Sequence, residues 1–104
     1  MFIIRPYRRF PVACPVAYEH CFQEGQGTVW NVSSTGWRMS GDVPLQCGDV
    51  CSLNVILPTN KPVSVAAGIV RWVKGEEFGI EILVMDGKAQ THLGKYIQER
   101  MKDL

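Results

Sequence analysis

Val63-Ser64-Val65-Ala66-Ala67-Gly68-Ile69-Val70-Arg71-Trp72-Val73 is followed by Lys74-Gly75-Glu76-Glu77 and then by Phe78-Gly79-Ile80-Glu81-Ile82. This stretch decides the fold. Its first part is a long run of β-branched and small apolar residues, which favour extended backbone. Gly68 in its interior marks a bulge or bend, as where a small barrel curves. The Lys74–Glu77 tetrapeptide turns the chain, and Phe78, Ile80 and Ile82 then share one face by strict alternation. After Ile82 the period changes. Asp86 can cap a helix, and Ala89, Leu93, Tyr96, Ile97, Arg100, Met101 and Leu104 recur at three and four residues. An amphipathic helix is therefore expected over about 86–104, packed on one opening of the barrel.

Upstream, the same reasoning finds shorter strands. Val12 to Phe22 reads as the first, with Pro15 placing its beginning at an edge or bulge. Gly25-Gln26-Gly27 reads as a turn, Thr28 to Ser33 as the second strand and Trp37 to Ser40 as the third. A Gly/Pro/Asp-rich loop over 41–49 leads into a fourth strand, Val50 to Leu57. Pro58-Thr59-Asn60-Lys61-Pro62 is a hairpin loop before the long run. Short strands at close spacing followed by one helix make an all-β domain, a small antiparallel barrel with a helical lid. At 104 residues and 46% apolar composition, the chain suffices for one core and for no second domain of any size. Residues 1–11 hold Pro6, Pro11 and three arginines, and read as an extended N-terminal arm preceding a domain over 12–104.

The net charge is only +1, which argues against a general DNA or RNA binder. Its distribution says more. Arg5, Arg8 and Arg9 all precede the first acidic residue, Glu19, so the arm carries a local positive field suited to a compact anion. A guanidinium is a planar fork that matches guanine O6 and N7, or two phosphate oxygens, and also stacks on a ring. A solvated basic tail has the same composition. The turn Asn31-Val32-Ser33-Ser34-Thr35-Gly36 offers complementary groups. The Asn31 carbonyl can accept from guanine N1 or N2, the Ser33 hydroxyl can donate to phosphate or a base edge, and Gly36 can take positive φ or admit a ligand close to the backbone. An ordinary turn in which Asn31 and Ser33 bond only to nearby backbone is the alternative.

Other residues point away from catalysis. Cys14, Cys21, Cys47 and Cys51 lack metal-site or redox spacing and read as buried or half-buried thiols of a reducing compartment. Trp30, Trp37 and Trp72 read as core or half-buried barrel residues rather than stacking platforms. Trp72 fits this least well, because Arg71 interrupts the alternation beside it. His20 and His92 read as surface residues without a carboxylate at ligand spacing. No nucleophile–base set and no mononucleotide glycine loop is present. With neither a signal-peptide pattern nor a run of membrane-helix length, a soluble, cytoplasmic protein with no membrane insertion is expected.

At this point the chain resembles PilZ domains, bacterial receptors for cyclic di-GMP. Such domains show an RxxxR arm and, roughly twenty residues on, a (D/N)xSxxG turn. Arg5 and Arg9, then Asn31, Ser33 and Gly36, stand in that order here. Arg9 to Val16 is similar to the family's passage into its first strand, and Gly68–Val73 through Phe78–Ile82 to its last two strands. Asn31 replaces the commoner aspartate. The resemblance implies a six-stranded antiparallel β-barrel with a C-terminal helix. It also implies that Arg5 and Arg9, with Arg8 beside them, grip cyclic di-GMP together with Asn31, Ser33 and Gly36. No catalysis, metal or cofactor is implied beyond that ligand. The expected function is a receptor and adaptor whose arm changes conformation and signals to a protein effector. The alternatives are a ligand-independent interaction module for pilus or flagellar motility, and a small nucleic-acid-binding barrel.

Overall fold

A computed structural model describes residues 10–102. Six strands run in order along the chain: β1 (Phe10–His20), β2 (Gln23–Val32), β3 (Gly36–Gly41), β4 (Val50–Ile56), β5 (Pro62–Lys74) and β6 (Glu77–Met85). One helix, α1 (Gly87–Lys102), follows. The strands pair in the order β1-β2-β3-β6-β5-β4, and a β1–β4 ladder closes the barrel. All pairings are antiparallel. Closure removes exposed sheet edges.

Alternation places the core inside. Val16 and Tyr18 of β1, Val29 and Val32 of β2, Trp37 and Met39 of β3, Leu53 and Val55 of β4, Val63, Val65 and Val70 of β5, and Phe78 and Ile80 of β6 form one buried cluster. The long β5 run bends as its glycine implies. Its register with β6 shifts at Val65/Ala67 and Ala67/Gly68. Pro15 pairs with Thr28 just past a register shift and outside the β1–β4 ladder, where its missing N–H costs no barrel-closing bond.

One hairpin differs from expectation. Gly25, Gln26 and Gly27 are strand residues of β2, and the chain reverses at Cys21-Phe22 instead, with φ of 49° and 66°. The glycines serve packing rather than turning. A Cβ on Gly25 would lie 2.4 Å from the Tyr18 ring, and one on Gly41 would lie 2.2 Å from its hydroxyl. Tyr18 thus occupies the room these two residues leave. Its hydroxyl donates to Val43 O at 2.6 Å and accepts from Val43 N at 2.8 Å, pinning the β3–β4 loop. Phe10 and Pro11, read as arm from sequence, are the first residues of β1, paired with Val32 and Asn31.

His20 also departs from expectation. Its Nε2 lies 3.5 Å from Asp49 Oδ2 and its Nδ1 2.9 Å from Val50 O. This carboxylate arrives from the loop before β4 and is 29 positions away in sequence, so local spacing cannot reveal it. Cys14 and Cys51 are buried, and burial, with the nearby Asp49 charge, pushes the Cys51 thiol up to about 11. Cys21 and Cys47 are exposed.

The helix begins as its capping residue dictates. Asp86 Oδ1 accepts from Ala89 N at 2.7 Å. Ala89, Leu93 and Tyr96 then join the barrel core, with Ile97 against it, whereas Met101 is half exposed. Among the described residues the apolar stripe therefore ends at Ile97, a turn before Met101; Leu104 lies outside the described residues. Asp86→Ala is expected to lower stability by about 1 kcal/mol, the worth of an N-cap. A urea midpoint equal to that of the unaltered protein would show that the cap holds nothing.

Candidate functional site

The β2–β3 turn is built by Ser33. Its backbone N–H donates to Gly36 O at 3.1 Å, and its hydroxyl donates to the same oxygen at 2.7 Å. The hydroxyl also accepts from Gly36 N at 3.0 Å and Thr35 N at 3.3 Å. Ser33 is only 1% exposed. Its side chain therefore bonds to local backbone and shapes the turn. Ser33→Ala would remove these bonds and leave two amide groups short of a partner. It is expected to destabilise the protein by about 2 kcal/mol, read as a drop in the urea midpoint; an unchanged midpoint would mean that the hydroxyl does not hold the turn.

Gly36 opens β3 opposite Glu81 and has no positive φ. What comes close to it is the neighbouring strand. A Cβ there would sit 3.0 Å from Ile80 O.

Asn31 faces outward beside a bulge between Val29 and Asn31 in the β2–β3 ladder. With its amide oriented so that the oxygen meets the guanidinium, Oδ1 accepts from Arg38 Nε at 2.7 Å and Nη2 at 3.1 Å. Arg38 Nη1 donates to Glu77 Oε1 at 2.5 Å. Arg38 was missed from sequence, although the alternation Gly36-Trp37-Arg38-Met39-Ser40 sets it on the same face as Gly36.

The ladder continues from there. Asn31 pairs with Arg38, Arg38 with Gly79, and Gly79 with Trp72, a row across four strands. Trp72 lies flat over Gly79, since a Cβ on Gly79 would fall 2.0 Å from Trp72 Nε1. Trp72 is 36% exposed and Trp30 39%; only Trp37 of the three tryptophans is fully buried. Two of them are therefore outer-face residues. Beside this row is a hollow of about 470 Å³ bordered by Thr35, Gly36, Arg71, Trp72, Gly79 and Glu81. Arg71 Nε donates to Glu81 Oε1 at 2.8 Å, and that hydrogen bond raises the already high pKa of the guanidinium.

The structure thus brings Asn31, Ser33 and Gly36 to one place and adds Arg38, Arg71 and Trp72 to it. Arg5, Arg8 and Arg9 lie outside the described residues. Arg9 is bonded to Phe10, whose partner Val32 immediately precedes Ser33. Chemically, the face offers an aromatic plane, two guanidinium groups with single carboxylate partners, and a shallow floor without side chains. Among the described residues no three His, Cys, Asp or Glu side chains gather to hold a metal ion. No helix among them is long and apolar enough to cross a membrane.

Comparison with known proteins gives a family and a fold. The family described as PilZ domain matches residues 3–99. A similar solved structure is the Bacillus subtilis inhibitor of motility, MotI/DgrA, with TM-score 0.81 and 18% identity over 98% of this chain and 53% of that one. The chain thus spans about half the length of that protein. The PilZ domain of CeSA from a cellulose-synthesizing bacterium is similar at TM-score 0.68 and 10% identity, over 90% of this chain and 98% of that one. No curated protein matches the chain in sequence.

Proposed function

Because the chain belongs to the PilZ domain family, a family of cyclic di-GMP receptors, we propose that it binds cyclic di-GMP on the outer face of β3, β6 and β5 and passes the signal to a protein partner. The observation that carries this reading is the row Asn31–Arg38–Gly79–Trp72 beside the hollow. A planar base needs a flat surface and a donor fork at its edge. Trp72 over a glycine floor is such a surface, and Arg38 and Arg71 are such forks. The arm arginines, Arg5, Arg8 and Arg9, supply the remaining grip on guanine and phosphate. Ser33 acts by holding the turn in shape, and Gly36 by keeping the rim of the hollow low.

The adaptor half of the reading is supported by a separate feature. Phe22 is 97% exposed at the tip of the β1–β2 hairpin, with positive φ. A bulky residue in that backbone region is uncommon, and a fully exposed aromatic contributes nothing to the core. Both are what a contact residue for a protein partner looks like.

Titration with cyclic di-GMP, followed by tryptophan fluorescence, tests the site. The unaltered protein is expected to give a saturable change. Trp72→Leu should lose most of that change and weaken binding by about 1–2 kcal/mol, the worth of stacking one base. An affinity unmoved by Trp72→Leu would remove this face from the site.

A further inference from the structure

The alternation of β5 breaks beside the hollow. Val70 pairs with Ile80 and Trp72 with Gly79, so Arg71 is the extra residue of a bulge. Consecutive residues of a regular strand face opposite sides, yet Arg71 and Trp72 are both exposed. The bulge re-aims one of them, and so sets a guanidinium beside an indole plane at the border of one hollow. Glu81 borders the same hollow from β6. Its Oε1 accepts from Arg71 Nε at 2.8 Å. Among the described residues this is the one hydrogen-bonding partner of either side chain. Glu81 Oε2 and both Arg71 Nη groups are left over. The other polar groups of the face are already engaged. Asn31 Oδ1 accepts two bonds from Arg38, Arg38 also meets Glu77, and the Ser33 hydroxyl bonds the turn.

We propose that Glu81 selects guanine: its carboxylate accepts N1–H and N2–H of a base stacked on Trp72, while Arg71 donates to O6. This rests on the cyclic di-GMP reading above and adds to it the residue that reads the base.

Two arguments support the assignment. The first is complementarity. An ionised carboxylate only accepts hydrogen bonds and a guanidinium only donates them. Joined by their own bond, the two present a donor and then two acceptors along one edge. Guanine presents the matching order, with O6 accepting and N1–H and N2–H donating. Adenine reverses the first two places, with an amino donor at C6 and a bare acceptor at N1. It would set donor against donor and acceptor against acceptor, which costs affinity. The second argument is reach. Trp72 lies over Gly79, and Glu81 is two residues further along β6, about 7 Å away. A hydrogen bond takes about 2.9 Å of that distance, and the remainder is about half the width of a purine. The side chains of Arg71 and Glu81 are 56% and 45% exposed, so their ion pair contributes little to folding. Glu81→Gln should therefore leave the fold intact.

Calorimetry with three ligands tests this: cyclic di-GMP, its inosine analogue (which lacks only the 2-amino groups) and cyclic di-AMP. The unaltered protein is expected to bind cyclic di-GMP about tenfold more tightly than the inosine analogue, and about a hundredfold more tightly than cyclic di-AMP, the discrimination of a bidentate base contact. Glu81→Gln should reduce the preference for guanine over inosine to about twofold or less, with an unchanged urea midpoint. Equal affinity of the unaltered protein for cyclic di-GMP and the inosine analogue overturns the proposal without any variant. A Glu81→Gln protein that keeps the guanine preference overturns it too. So does one that weakens all three ligands alike, which would make Glu81 only a brace for Arg71. If none of the three binds the unaltered protein, the cyclic di-GMP reading itself fails and the assignment falls with it, a result distinct from binding without base preference.

Discussion

Arg9→Ala is expected to weaken cyclic di-GMP binding by about 1.5–3 kcal/mol, a loss of roughly tenfold to a hundredfold or more. The estimate is that of a charge-assisted bond from a guanidinium to a base edge or phosphate. Arg9 directly precedes Phe10 in the chain, and Phe10 is paired with Val32 in the β1–β2 ladder. Arg5 is four residues further from that anchor and should cost somewhat less. Arg9→Lys separates charge from shape. A point charge restores part of the attraction to phosphate and little of the bidentate contact. Calorimetry on the three proteins measures the differences. Equal affinities for the unaltered protein and Arg9→Ala would exclude the arm from the site. Thermal stability should barely change, which separates a lost contact from a lost fold.

Phe78→Ala is expected to cost about 3–5 kcal/mol of stability. Phe78 is 1% exposed and belongs to the central cluster. Its ring meets that of Tyr18 edge to face, with centroids 6.3 Å apart. Truncation would leave a cavity inside a closed barrel, whose paired strands collapse poorly. It would also loosen Tyr18, which pins Val43 and fills the room beside Gly25 and Gly41. A domain of this size is stable by about 5–15 kcal/mol in all, so the loss is a large fraction of the total. Urea denaturation reads it directly. A cost below about 1 kcal/mol would mean that the barrel interior is not packed as described.

The barrel was legible because its strands alternate. The β5 and β6 runs, the bend at Gly68 and the switch to helical period at Asp86 each carry a local signal, and each reappears in the structure. The first hairpin was not legible for a physical reason. Glycines signal turns only when nothing else needs their missing Cβ. Gly25 is required by the ring of Tyr18, a partner set by the fold, so the reversal moved to Cys21-Phe22, which carries no turn signature. The proposed site was half legible. The motif named Asn31, Ser33 and Gly36, and the Ser33 hydroxyl bonds the turn. Arg38 and Trp72, which the proposal adds, were not named from sequence. What joins them to Asn31 is strand register across β2, β3, β6 and β5, and register is a property of pairing that no single segment contains.

Isothermal calorimetry of the unaltered chain with cyclic di-GMP at low ionic strength, where screening of the arginines is least, tests the central claim most directly. A saturable heat with a defined stoichiometry, with affinity weakened in both Arg9→Ala and Trp72→Leu, is the predicted result; no heat from the folded, unaltered protein would contradict it.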